Sequence, residues 1–290
     1  MFRIAALAFF SALIWTAAAN EAAAQSYTFR SVNLVPGEET ILLDVKPLYL
    51  LGWALTSDSA IPTCYLQFGG ARTVIADPKG VATYCHGVNS KGVVVGYYET
   101  GADVAVGFTY ANGVYTDFSL PNGADGPLPI SISDNGLITG YYYNNNVPFV
   151  FVIRNGNLVT FRIPGSTNIF PSGINNQRQI LMQQVDTGGN LHGVLKTGPT
   201  MLTIAYPGAT QTVVEKINNN GQLCGRYTAS NGTVHGFVYD SVKTAYYNID
   251  YPGAVETNLN GIDDNATLVG DFRKKAGGGR TGLRAAGALP

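Results

Sequence analysis

Three histidines, His86, His192 and His235, are the side chains of this 290-residue chain best suited to metal binding or to proton transfer near neutral pH. His192 and His235 hold the same place in two successive copies of a repeat described below. If that place is a third strand, it lies about 10 Å outside an innermost one at ordinary strand spacing. Two such histidines cannot share one ion through bonds of about 2 Å, so packing is their expected role. His86 is different. Cys85-His86 stands where other copies carry Pro129-Ile130, Pro171-Ser172, Glu215-Lys216 or the neighbourhood of Asn258 and Asn260. A residue that departs from the repeat near an axis needs its own explanation, and this makes His86, Glu215 and Lys216 candidate ligand contacts. The plainer alternative is a packed or hydrogen-bonded lining.

Aromatic residues supply a second set. The position after a recurring glycine holds Trp53, Tyr97, Tyr141, Gln183, Arg226 and Asp271, a variety that suits a wetted face. There Trp53, Tyr97 and Tyr141 could stack on sugar rings. One residue further on, Tyr98, Tyr142, Tyr227 and Phe272 share the glycine's side of the strand and are expected to pack between units.

Other chemistry finds little support. A carboxylate pair for hydrolysis needs two acids about 5 to 10 Å apart in a cleft, and Asp263-Asp264 reads instead as turn chemistry. Asp186 to Asn190 lacks the regular calcium-loop pattern. There is no Walker loop, G-x-S-x-G elbow, H-E-x-x-H or C-x-x-C. No catalytic residue, metal or cofactor is assigned. With 18 basic and 19 acidic residues, the chain has no global field for nucleic acid or anionic membrane. The basic cluster Arg273, Lys274, Lys275, Arg280 and Arg284 is read as a solvated loop and strand edge, or else an anionic contact.

The elements that must position these residues are strands. A proline-glycine turn recurs at Pro36, Pro78, Pro121, Pro164, Pro207 and Pro252. A G-I-N-x-x-G-x-φ-x-G motif recurs with it, as in Gly87 to Gly96 and Gly261 to Gly270, and a third mark is the strand-turn of HGVLKTG at His192 and HGFVYDS at His235. Between the marks lie short β-branched and aromatic runs bounded by Asn, Gly and Pro, the signature of strands. Four strands in roughly 43 residues suit a propeller blade. The expected fold is all-β, a six-bladed β-propeller of four-stranded blades spanning 25–290, its last blade completed by the N-terminal strand.

Residues 1–24 read as a secretory signal, with Arg3, an apolar run from Ile4 to Trp15 and small residues at Ala22 to Ala24. That run is too short to span a bilayer, so no membrane anchor is expected. Three cysteines leave at least one unpaired. Cys64 and Cys85 could meet across neighbouring units, bonded or not, while Cys224 is expected as a buried thiol.

The Gly-Ile-Asn turn, the His-Gly-Phe at His235 to Phe237 and the Tyr-Pro-Gly-Ala at Tyr206 to Ala209 resemble the HAF repeat family. The resemblance covers nearly the whole chain after residue 24 and is weakest where LYLLGW replaces the motif and where Arg178 and Met182 stand at glycine positions. It implies a propeller and an extracellular location, and no activity. The resulting expectation is a monomeric, secreted or periplasmic binding or scaffold module that presents one propeller face to a glycan or protein. The alternative is an extracellular polymer-acting hydrolase or lyase with an axial site.

Overall fold

The computed structural model describes residues 27–289 except 57, 58, 60, 103, 121–125, 146 and 164–167. The segment 1–24 that the sequence reads as a secretory signal, and the turns at Pro121 and Pro164, lie outside the described residues. Every regular element among them is a strand. β1 (Thr28–Val32) comes first. Next are β2 (Glu39–Val45), β3 (Tyr49–Leu55), β4 (Thr63–Phe68) and β5 (Ala71–Ile75), then β6 (Ala82–Val88), β7 (Val94–Glu99), β8 (Ala105–Ala111) and β9 (Val114–Asp117). β10 (Leu128–Ile132), β11 (Ile138–Asn144), β12 (Val147–Arg154) and β13 (Asn157–Phe161) follow, then β14 (Asn168–Ile174), β15 (Ile180–Val185), β16 (Leu191–Thr197) and β17 (Thr200–Ile204). The chain ends with β18 (Gln211–Ile217), β19 (Gln222–Thr228), β20 (Val234–Asp240), β21 (Ala245–Asn248), β22 (Glu256–Ile262), β23 (Leu268–Arg273) and β24 (Thr281–Ala286).

These strands form a β-propeller, in which β2, β6, β10, β14, β18 and β22 surround one axial cavity. Its blade count corrects the expectation of six separate ones. Four sheets stand alone as antiparallel meanders, β2 to β5, β6 to β9, β10 to β13 and β14 to β17, and the other eight strands form one sheet. A parallel bridge, Val234 to Glu256, joins its two halves. Gly236 permits the approach of β20 to β22, since a Cβ there would collide with Ile249 O and Leu259, although Gly193 comes as close to Val214 without forming a bridge. At the matching Gly107 the neighbours are Pro127 and Pro129, which have no N–H to donate. The N-terminal strand likewise does not complete a separate final blade. It is the edge of the eight-stranded sheet, antiparallel to β24 with Thr28 opposite Ala286 and Val32 opposite Gly282.

The core lies between neighbouring sheets. Leu51, Cys64 and Ile75 of one sheet pack with Cys85, Val94, Tyr98 and Phe108 of the next. Tyr98, Tyr142 and Phe272 are buried in such seams, as their place after the glycine leads one to expect. Tyr227 is only partly buried and stacks on Tyr206, ring centroids 3.7 Å apart. Phe272 stacks on Tyr251 in the same way, at 3.7 Å. Each stack pairs the tyrosine of a Tyr-Pro-Gly turn with the second strand of the sheet that follows it.

Two recurring hydrogen-bond devices explain the repeat marks. At the proline-glycine turns, a buried threonine six residues on accepts a backbone N–H: Thr40 from Leu34, Thr83 from Asp77, Thr212 from Tyr206 and Thr257 from Tyr251. At the asparagine turns, the side chain serves its own loop and the next unit. Asn218 Oδ1 accepts from Asn220 and Gln222 N–H, while its Nδ2 donates to Asp263 O at 2.9 Å. Asn175 donates to Asn218 O and Asn89 to Ser133 O in the same manner. Glycine closes these turns at positive φ, for example Gly92 and Gly221, but Arg178 adopts φ 64°. Such a backbone costs a non-glycine residue about 1 to 2 kcal/mol. Arg178 is exposed. The variant Arg178→Gly should therefore gain about 1 kcal/mol in urea unfolding.

Cys64 and Cys85 form a disulfide that joins β4 to β6 across a sheet boundary. Cys224 is a buried thiol, and that burial raises its pKa and leaves it a poor nucleophile. The bridge closes a loop of sequence separation 21. Replacing both bonded cysteines by serine should lower unfolding free energy by about 3 kcal/mol, read from denaturant midpoints.

Candidate functional site

The axial cavity, of about 610 Å³, is built by one irregularity repeated around the ring. In each first strand the register with the second slips by one residue, leaving Leu43, His86, Ile130, Ser172, Glu215 and Asn260 as unpaired bulge residues. A β-bulge bends its strand and re-aims the extra side chain. All six of these side chains line the cavity. The residue before each bulge pairs with the recurring glycine, as Cys85 with Gly96 and Leu259 with Gly270. A Cβ at Gly96 would fall inside contact distance of Tyr84 O, and at Gly270 of Asn258 O. The glycine thus accommodates the bulge opposite it; Met182 stands there in the copy that carries Ser172.

This register corrects one alignment made from sequence. The counterpart of His86 is Glu215, not Lys216, which instead matches Asp44, Gly87, Ser131, Gly173 and Gly261. Lys216 still reaches the axis. Its Nζ donates to Ile130 O at 3.2 Å and Ser172 O at 3.1 Å. Burial lowers its pKa, against the opposing pull of the Asp44 and Glu215 carboxylates. Because β18 runs from its proline-glycine turn toward its asparagine turn, Lys216 lies beyond Glu215 on the asparagine-turn side.

The wall is divided in character. One arc is aromatic and contains Trp53, His86, Tyr141 and Phe170. Tyr97 does not line the cavity; its ring stacks on His86, 5.5 Å between centroids and 20° from parallel. Tyr141 meets Phe170 edge-on at 5.1 Å. Burial pushes the Tyr97 hydroxyl up to about 12 and raises that of Tyr141. Both phenols are therefore neutral hydrogen-bonding groups at physiological pH.

The facing arc is polar. Arg226 Nη1 donates to Glu215 Oε1 at 2.7 Å. Asn258 Nδ2 and Asn260 Nδ2 donate to the two oxygens of Asp271 at 2.9 and 3.1 Å. Arg280 bonds Asp271 through Nη1 and Glu256 through Nη2. Burial works against ionisation of Glu256, but the hydrogen bond from Asn258 and the charges of Arg280 and Arg273 prevail and lower its pKa.

Sequence reasoning selected Trp53, His86, Tyr141, Glu215 and Lys216, which the fold brings together. It missed Arg226, Asn258, Asn260, Asp271 and Arg280 as site residues. For Arg226, Asn260 and Asp271 the signal was present, since they hold the same repeat positions as residues that were selected; Asn258 matches Tyr84 and Phe170, which were not. Arg280 belongs to the cluster that the sequence reads as a solvated edge or an anionic contact; the structure ties it to buried Asp271 and half-buried Glu256, and Arg273 to Glu256. His235 lies elsewhere, its Nδ1 2.8 Å from Asp250 Oδ2 and its Nε2 2.7 Å from Thr233 Oγ1. The Asp186 loop is a side-chain-capped turn, with Oδ1 accepting from Gly188 and Asn190 N–H at 2.8 Å. Among the described residues, no group of three or more His, Cys, Asp or Glu is placed to hold a metal.

Burial holds the His86 imidazole far below its ordinary 6.5, at about 3, with Lys216 adding to the effect. The unfolded chain therefore binds this proton more readily. The resulting stability is fully present above pH 6.5 and is lost as pH falls toward 3. The stability of His86→Gln relative to wild type should rise by about 2 to 3 kcal/mol between pH 7.5 and pH 4.5, measured by urea unfolding at each pH.

No protein-family model matches the chain. No curated protein matches it either. Among solved structures, it is similar to the β-propeller domain of the Trilobed protease from Pyrococcus furiosus, at a TM-score of 0.56 and 10% identity over 86% of this chain and 94% of that one. TolB from Acinetobacter baumannii gives 0.54 at 11% identity, over 89% of this chain and 66% of that one. The SapL1 lectin in complex with alpha methyl fucoside gives 0.51 at 12% identity, over 87% and 96%. At these identities the likeness shows the β-propeller fold alone.

Proposed function

We propose that this protein is a secreted or periplasmic carbohydrate-binding propeller of the HAF-repeat type, with the axial cavity as its glycan site. The single observation that carries this reading is the two-sided wall, with Trp53, Tyr141 and Phe170 on one arc and Arg226, Asn258, Asn260 and Asp271 on the other. A sugar presents the same two characters, an apolar C–H face that stacks on rings and a rim of hydroxyls that both donate and accept. Fixed polar groups set orientation in such pockets, while apolar walls supply burial. The SapL1 lectin, solved with a fucoside, is a relative in fold that carries a sugar.

The hydrolase alternative has less to support it. Its candidate acids on the wall, Glu215 and Asp271, are each engaged by an arginine, at 2.7 Å for Glu215 with Arg226. In each, the arginine occupies a carboxylate oxygen that a general acid or base would have to present to the substrate.

A glycan array probed with the protein, followed by calorimetry on the glycans retained, tests the proposal. At least one glycan should bind, and Tyr141→Ala should weaken it about tenfold, a loss of roughly 1.4 kcal/mol. Because Tyr141 is half-buried at the cavity and outside the main seams, its melting temperature should change little. An array with no bound glycan, or affinity unaffected by Tyr141→Ala, would remove the axial carbohydrate site and leave a protein ligand as the reading to pursue.

A further inference from the structure

A second pocket, of about 340 Å³, lies against the sheet that carries β22, β23, β24 and β1. Ser31, Tyr251, Lys274, Lys275 and Thr281 line it, and among the described residues none of these five side chains forms a hydrogen bond or ion pair. A surface group ordinarily spends its hydrogen bonds on water. Five that meet on one concavity make a site of the size that holds small ligands.

The pocket is shaped by the turn after β23. Gly278 N–H donates to Lys275 O at 3.0 Å, and Gly277 takes a φ of 68°, which a side chain would resist. Gly278 and Gly279 then put bare backbone on the wall, while the stacked rings of Tyr251 and Phe272 supply its apolar surface. Lys274 and Lys275 are exposed, and a flexible four-carbon stem lets each ammonium adjust to a bound group.

We infer that this pocket is a second ligand site, which takes an anionic group, a carboxylate or a sulfate, carried by a sugar. It is distinct from the axial cavity and rests on the carbohydrate-binding reading above only for the carrier of the charge. The two lysines donate without accepting, and the three hydroxyls can donate; a carboxylate or sulfate only accepts. Charge points the same way. Of the basic residues in this stretch, Arg273 and Arg280 are spent on Glu256 and Asp271, and Arg284 stands opposite Arg30 in the β1–β24 ladder and lines neither pocket. Among the described residues no Asp or Glu lines the second pocket. Glu39 Oε1 comes near its loop, 3.2 Å from where a Cβ on Gly279 would sit, but lines neither pocket. Two ammoniums on a concave wall without a carboxylate concentrate positive potential where an anion can sit. The site also adjoins the axial one: Asp271 and Arg280 line the axial cavity, and their chain neighbours Phe272, Gly279 and Thr281 line this pocket.

The full chain labelled with nitrogen-15 is titrated with glucuronate, glucose 6-sulfate, inorganic sulfate and methyl glucoside, and the amides of Gly277, Gly278 and Gly279 are followed. Saturable shifts are expected with both acidic sugars, weakening as salt is added, with looser binding of inorganic sulfate and no shift with methyl glucoside. Lys274→Gln and Lys275→Gln made together should weaken both acidic sugars at least tenfold, at an unchanged melting temperature, and leave the affinity of any neutral glycan retained by the array unchanged. Should that variant fail to fold, the shifts in the unaltered chain still decide. Glycine amides that stay still with both acidic sugars, or equal affinity in the folded double variant, overturn the site. Inorganic sulfate bound as tightly as glucose 6-sulfate overturns the sugar as carrier, and equal shifts with methyl glucoside overturn the anionic selectivity. Loss of this site leaves the axial reading standing, because the array and Tyr141→Ala decide that one. An array whose bound glycans ignore Tyr141→Ala, beside glycine amides that move with acidic sugars, removes the axial reading alone.

Discussion

Each innermost strand carries one residue more than its neighbour can pair, and the whole axial region depends on how that surplus is accommodated. The ladder absorbs it at a fixed place, in five copies opposite a glycine whose missing side chain makes room for a carbonyl and in the sixth opposite Met182. The surplus residue is thereby left out of the ladder and directed to the axis. Removing the glycine's role would force the carbonyl and the bulge to move together, so an apparently structural residue on the second strand governs what the first strand presents.

Around this constraint the fold separates positions that hold sheets together from positions that face the axial cavity. Buried threonines fasten the proline-glycine turns, and asparagine side chains tie successive turns through backbone carbonyls. These bonds are local or span a single repeat, so every unit can use the same residues, as expected when contacts are confined to neighbours. The cavity residues obey no such rule. Leu43, His86, Ile130, Ser172, Glu215 and Asn260 hold equivalent places and share no chemistry. The site is asymmetric because its side chains differ while the backbone beneath them repeats.

The all-β repeat was legible in the chain because turns need particular residues: proline and glycine at one end, asparagine and glycine at the other. The convergence of His86 with Trp53 and Tyr141 was also legible, since alternation along a strand fixes the face a residue occupies. Lys216 was misaligned because a bulge alters that alternation by one step without altering composition. Arg280 follows no repeat mark, and its partners Asp271 and Glu256 become its neighbours through the strand pairing of β22 to β24. The merger of two four-stranded sheets into one of eight rests on a single bridge at Glu256, too local a feature to leave a mark in a pattern of residues.

The disulfide has a consequence for the history of each molecule. Cys85 immediately precedes His86, and its bond to Cys64 fastens the aromatic arc to the adjacent sheet. Disulfides do not persist where thiol-reducing systems operate. A newly made chain in such surroundings would have the same residues around its axis but without this covalent fixing, and the arc would acquire its final rigidity only on oxidation. The shape of the axial cavity would then depend on the oxidation state of one bond at its margin.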